Sequence, residues 1–228
     1  VNLASVLLFQ AFDPATGSEL WRSDATSSGT VLVRDIVPGP NSSTPSRLVE
    51  MNGLVYFTAG GGLLRSDGTS SGTALVRDSI GIGTSLVNVG GVLYFGAGDF
   101  TTGTELWRSD GTSSGTSLVK DIRPGTDTSS LAELTNFDGL LAFRANDGAS
   151  GVELWISDGT STGTTLVNDI RSGLNTSDPI GLTPVGSILY FRANDGTSGP
   201  ELWRSDGTSS GTVLVKDIRP GPTGMNGF

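Results

Sequence analysis

The chain has 228 residues, 34 of them glycine, and a net charge of −9 from 23 acidic and 14 basic residues. It contains neither histidine nor cysteine, which removes the commonest general base, thiolate chemistry, disulfides and the usual transition-metal ligands together. Its lysines are Lys120 and Lys216 alone, its arginines are scattered, and no apolar run approaches the roughly 18 residues of a membrane helix; basic-cluster recognition of nucleic acid and a helical membrane span are both excluded as expectations.

The chain opens on strand-like residues, because VNLASVLLFQAFD at 1–13 aligns with TPVGSILYFRAND at 183–195. ELWRSDATSSGT follows at 19–30, a damaged copy LLRSDGTSSGT at 63–73, and ELWRSDGTSSGT at 105–116. ELWISDGTSTGT stands at 153–164, and the 105–116 dodecamer recurs letter for letter at 201–212. A marker aromatic, Phe9, Phe57, Phe95, Phe143 and Phe191, recurs at spacings of 48, 38, 48 and 48. Five repeats therefore fill the chain, at about 1–45, 46–83, 84–131, 132–179 and 180–228. The fourth shows the content of each: ELTNF (133–137), LLAFRAN (140–146), ELWISD (153–158) and TTLVNDI (164–170), short β-rich segments separated by Gly-containing turns. No window sustains a helical apolar period.

Alternation in ELWRSD puts Glu105, Trp107 and Ser109 on one side and Leu106, Arg108 and Asp110 on the other. Large groups on both sides suit a sheet covered on both faces. Four strands per repeat with two covered faces predict an all-β fold, a five-bladed β-propeller with four antiparallel strands per blade, as one domain. An open solenoid is the rival, but it needs distinct polar caps at its ends.

In this scheme the dodecamer is the end of the third strand and the turn into the fourth. Trp21, Trp107, Trp155 and Trp203 are expected to wedge between blades. Asp24, Asp67, Asp110, Asp158 and Asp206 open the turns by accepting backbone N–H groups, with Gly next in line. No cofactor is implied. Ca²⁺ is the one metal whose hard oxygen ligands the turn contains, but each turn offers a single carboxylate, and Ala25 replaces the Gly in the first copy. These dodecamers resemble the signature of the ELWxxDGT repeat family of bacterial secreted and surface proteins. The resemblance covers all five repeats, although the second has Leu63–Leu64 and lacks the Glu. It implies a repeat-built β-structure at the cell surface or outside the cell, and it brings no catalytic residues.

Strand alternation sorts the connections onto two ends of the blades, with the longer and more variable loops opposite the dodecamer turn. That end carries Asp13, Asp99, Asn146, Asp147, Asn194 and Asp195, with Arg123, Arg171 and Arg219 in the inter-blade links. Planar polar groups of this kind suit a sugar, or Asp–Arg pairs tying blade to blade. Repeat two is five residues short twice on this end, between Phe57 and Leu64 and between Asp78 and Phe95, which reflects either drift or a groove or contact notch at the second blade. Asn41 and Asn175 stand in glycosylation sequons at equivalent link positions. Titratable groups recur once per repeat without a unique cluster, so an enzyme is not expected. The expected function is a non-catalytic extracellular binding or adhesion module, its partner a glycan or a cell-surface or matrix protein, several equivalent sites giving avidity. The alternative is a structural surface protein that self-associates into arrays or filaments.

Overall fold

Five antiparallel sheets, one for each repeat, follow one another along the chain in a computed structural model that describes residues 1–99 and 101–221. Blade 1 consists of Asn2–Leu3, Val6–Asp13, Gly17–Ser23 and Val31–Arg34, and blade 2 of Ser46–Met51, Leu54–Ala59, Gly62–Ser66 and Ala74–Arg77. Blade 3 is built from Val87–Val89, Val92–Gly98, Thr104–Ser109 and Ser117–Lys120, with a short extra strand, Gly81–Ile82, on its second strand. Blade 4 comprises Ala132–Phe137, Leu140–Asn146, Val152–Ser157 and Thr165–Asn168; blade 5 comprises Ile180–Val185, Ile188–Asn194, Pro200–Ser205 and Val213–Lys216. Each sheet keeps its strands in chain order, the meander that a β-propeller blade requires. The fold is thus all-β, a five-bladed β-propeller with four antiparallel strands per blade. Residues 222–228 of the fifth repeat lie outside the described residues.

Register places the marker aromatic opposite the tryptophan of its own blade: Phe9 pairs with Trp21, Phe143 with Trp155 and Phe191 with Trp203, while Phe57 faces Leu64. Between Phe143 and Trp155 the rings stack at 6.5 Å between centroids. A bulge shifts the pairing of the third and fourth strands in blades 1, 2, 4 and 5.

The chain divides into two compact units, Val1–Phe95 with Arg108–Ser117, and Gly96–Trp107 with Leu118–Phe228. In the first unit Leu3, Leu8, Leu20 and Val33 of blade 1 form one core with Val55, Phe57, Ala59 and Leu64 of blade 2. In the second, Phe137, Ala142, Leu154 and Val167 of blade 4 meet Leu182, Leu189, Phe191, Ala193 and Trp203 of blade 5. In both pairs the first blade packs one face, its trailing face, on the leading face of the second, which carries the marker aromatic. Burial of both faces is why the strands read as apolar on alternate positions and still show large groups on the other side.

Polar bonds accompany these apolar seams. The arginine near the end of the third strand donates to the turn glycine carbonyl of the next blade, Arg22 to Gly68 at 3.4 Å and Arg65 to Gly111 at 3.5 Å. Basic groups ending the fourth strand do likewise, Arg34 to the Thr73 carbonyl at 2.5 Å and Lys120 to that of Thr164 at 2.7 Å. Lys120 also lies 5.8 Å over the Trp155 ring.

Candidate functional site

The dodecamer turn is self-contained. Asp110 Oδ1 accepts from the Thr112 backbone N–H at 2.8 Å and from its hydroxyl at 2.7 Å, and the same pair of bonds recurs at Asp24, Asp67, Asp158 and Asp206. The Thr112 hydroxyl in turn accepts from Gly115 N–H, and Thr116 Oγ1 donates back to the Thr112 carbonyl. Ser109 and Thr116 close the base of the hairpin through their hydroxyls at 2.7 Å. A Cβ on Gly115 would stand 2.1 Å from Asp110 Oδ1, so the second glycine of the motif makes room for the carboxylate. The Thr112 hydroxyl bond holds the Asp110 carboxyl below the ordinary carboxylate range. Among the described residues no group of three or more acidic, His or Cys side chains is placed to hold a metal ion, and each turn contributes one carboxylate already engaged by threonine.

Ala25 occupies the turn position that is glycine in the other four copies, and it sits at φ 72°, a left-handed conformation that disfavours a Cβ. It is exposed. Ala25→Gly is therefore expected to stabilise the chain by about 1 kcal/mol; a thermal melt showing an unchanged or lower midpoint counts against it.

On the opposite end, the acidic and amide side chains predicted from the sequence are brought to the loops after the second strands, where they cap their own backbone. Asp13 accepts from Ala15 N–H, Asn146 from Gly148 N–H and Asn194 from Gly196 N–H. Asp147 takes the N–H groups of Ala149 and Ser150, and Asp195 those of Thr197 and Ser198. The hydroxyl and backbone N–H of Thr101, joined by those of Thr102, lower the Asp99 carboxyl to about 2. Arg123 pairs with Asp127 of its own link at 3.1 Å, and Arg171 reaches the Thr176 carbonyl at 3.4 Å. Arg219 is exposed, and its backbone N–H donates to Glu201. Asp178 pairs instead with Arg144, a residue the sequence reading did not single out.

That reading also missed the glutamate of ELW. Glu19, Glu105, Glu153 and Glu201 are fully buried. Each reaches into the link that leaves its blade. Glu153 accepts from the backbone N–H groups of Ile170, Arg171 and Ser177 and from the Ser177 hydroxyl. Glu19 does the same with Ile36, Ser43 and the Ser43 hydroxyl at 2.6 Å. Ser43 and Ser177 are the third residues of the Asn41 and Asn175 sequons, and both are buried. The sequon triplet thus recurs because its serine is a ligand of the glutamate, while Asn41 and Asn175 themselves are exposed.

Burial without a cationic partner pushes Glu105 and Glu153 up to about 7 from the ordinary 4.5, against hydrogen bonds that favour the charged form. The stability these two groups contribute is accordingly complete below about pH 4.5 and lost as pH rises through about 7. Thermal midpoints are expected to fall across that window, and to fall less in a Glu105→Gln/Glu153→Gln double variant. Parallel pH profiles for the two proteins would sink this account.

Repeat two departs from the others as one coupled change. Gly62 stands in the place of the glutamate, paired with Ala59 as Glu19 is with Ala11, and the link that would have supplied a glutamate's partners is the shortened one. The loop after its second strand shrinks to a tight turn at Gly60–Gly61, both residues at positive φ. In other blades that loop lies against its link: a Cβ on Gly151 would be 1.9 Å from the Asn175 carbonyl, and one on Gly103 2.3 Å from that of Asp127. With the loop gone, a cleft of about 270 Å³ opens in the first unit between Thr44–Arg47, Thr58–Gly62 and Ile80–Ile82. Arg47 lines it at φ 55°, an uncommon backbone conformation for a non-glycine residue, and reaches the Gly83 carbonyl at 3.3 Å.

No family model matches the chain, and no curated protein matches it in sequence. Solved structures do match. One, from a structural and mechanistic analysis of two prolyl endopeptidases, superposes with a TM-score of 0.55 at 12% identity, over 92% of this chain and 32% of that one. Oligopeptidase B from Leishmania major gives 0.54 at 12% identity, over 96% and 33%. A puromycin hydrolase gives 0.50 at 13% identity, over 97% and 40%. What they share with this chain is the fold. The chain spans about a third of the length of the peptidases it superposes on, and identity at this level says nothing about their chemistry here.

Proposed function

We propose that the chain is a non-catalytic binding module of the cell surface or extracellular space, whose ligand site is the cleft at blade 2. The observation that carries this reading is the open cleft found where repeat two has lost its loop. The recurring Asp and Asn side chains of the long-loop end are engaged with their own backbone. The walls of the cleft carry the hydroxyls of Ser46 and Thr58, bonded to each other at 2.8 Å, that of Thr44, which donates to the Ser43 carbonyl, the Arg47 guanidinium, and apolar atoms of Ile80 and Ile82. Hydroxyls, one planar donor and a small apolar surface are the groups that recognise a sugar ring, so the ligand class is a carbohydrate.

A glycan array probed with the chain tests this. Capture of a defined sugar class is expected, and it should be lost when the seven-residue loop NDGASGV of 146–152 is grafted in place of Gly60–Gly61, which fills the cleft. Absence of any captured glycan, or capture that survives the graft, would overturn the assignment.

A further inference from the structure

The first strands of blades 2, 4 and 5 carry the same bulge, between Ser46 and Val49, Ala132 and Thr135, and Ile180 and Thr183. The residue after the first of each pair is left-handed in all three: Arg47 at φ 55°, Glu133 at 59° and Gly181 at 67°. Glycine takes this conformation without steric cost, whereas Arg47 and Glu133 hold a Cβ against it. At Glu133 the side chain ties two blades together, its carboxylate accepting the Gly181 N–H at 2.9 Å. Arg47 is exposed and spends one of its five N–H donors on the Gly83 carbonyl at 3.3 Å. A strained backbone kept for a side chain that the fold hardly uses points to a functional role for that side chain.

The surroundings of Arg47 define what it can bind. Among the described residues that line the blade 2 cleft, Arg47 alone is charged. Arg123 and Arg144 are neutralised by Asp127 and Asp178, but Arg47 has no acidic partner among the described residues. The hydroxyls beside it already donate within the protein. Thr44 donates to the Ser43 carbonyl at 2.8 Å and Thr58 to the Ser46 carbonyl at 3.3 Å, which leaves Ser46 as the donor in its 2.8 Å bond to Thr58. These oxygens therefore keep acceptor lone pairs for a ligand, suited to the O–H groups of a sugar. An acceptor on the ligand has the guanidinium as its side-chain donor. With four N–H groups left, that fork matches an oxyanion.

We propose that the blade 2 cleft takes an anionic sugar, whose carboxylate or sulfate is held by Arg47 while its ring hydroxyls donate to Thr44, Ser46 and Thr58. This assignment rests on the cleft's being a carbohydrate site and adds the charge of the ligand. In a chain of net charge −9 the general field repels an anion, so recognition depends on this one contact.

A glycan array printed with neutral, carboxylated and sulfated members tests it, probed with the parent, Arg47→Gly, Arg47→Gln and Arg47→Lys. Capture by the parent is expected on charged members only, the carboxylated and sulfated sets showing which anion is read. Arg47→Gly and Arg47→Gln should each weaken that capture by about tenfold or more, and Arg47→Lys, which keeps the charge without the fork, by less. The thermal midpoint of Arg47→Gly should equal or exceed the parent's, because glycine relieves the left-handed φ. A midpoint well below the parent's would make Arg47 a tie of the fold and overturn its role toward a ligand. Capture of neutral members, or charged-member capture that both Arg47→Gly and Arg47→Gln leave unchanged, overturns the anionic assignment and leaves the cleft a sugar site. No capture by the parent overturns both.

Discussion

Glu153→Ala is expected to destabilise the chain by about 3–5 kcal/mol, because it strands three backbone N–H groups and a serine hydroxyl in a buried site. The loss is larger than a cavity of that size alone would produce. It comes from donors that lose their acceptor. Glu153→Gln keeps one acceptor oxygen and turns an NH₂ toward donors, so an intermediate loss of about 1–3 kcal/mol is expected. Chemical denaturation near pH 4 separates the three proteins, since below about pH 4.5 the parent retains its full contribution from this group. An alanine variant within about 0.5 kcal/mol of the parent would mean that the link finds other acceptors.

Gly111→Ala comes next in size, at about 2–4 kcal/mol. Gly111 lies at φ 91°, and a Cβ there would stand 2.1 Å from the Tyr56 hydroxyl and 2.8 Å from the ring carbon that bears it. Tyr56 is buried in the preceding blade, so it has little freedom to withdraw. Adding Tyr56→Phe to Gly111→Ala should recover part of the loss, with a coupling of at least about 0.5 kcal/mol in a double-mutant cycle. Additive effects would contradict the contact. Ala25 is the natural counterpart: the same turn position with a Cβ already present, tolerated where the residue is exposed.

The two experiments address different parts of one design. The glutamate fixes the link to the blade it leaves, and the turn glycine lets the hairpin of one blade approach the preceding blade. Repetition of ELWRSDGTSSGT reports both demands at once. Its Glu answers to residues 17 and 24 positions downstream, while its Asp, Thr and second Gly answer to one another within the turn. This also accounts for repeat two, in which the glutamate and five link residues are missing together. That joint loss was the signal in the sequence that could have exposed the glutamate's role. Alternation alone put Glu105 beside Trp107 and Ser109 without saying what it bonded.

Local chemistry was legible without coordinates. Strand alternation, Gly-bounded segments and Asp–Gly turns depend on residues a few positions apart, so the four strands of each blade and the dodecamer turn follow from the sequence by itself. The notch at repeat two was legible too, as a pair of deletions. Tertiary structure decided where side chains with several possible partners spend their bonds. Asp147 and Asp195 are sugar-type residues by composition, yet their oxygens take backbone N–H groups of their own loops. It also decided how far each copy of a residue is buried. Val33 and Val215 sit in the same motif, VLVR and VLVK, and one is 5% exposed and the other 44%. A sequence repeat specifies what each blade presents to a neighbour, because that depends on its own strands; whether a neighbour lies there depends on packing between segments distant in the chain.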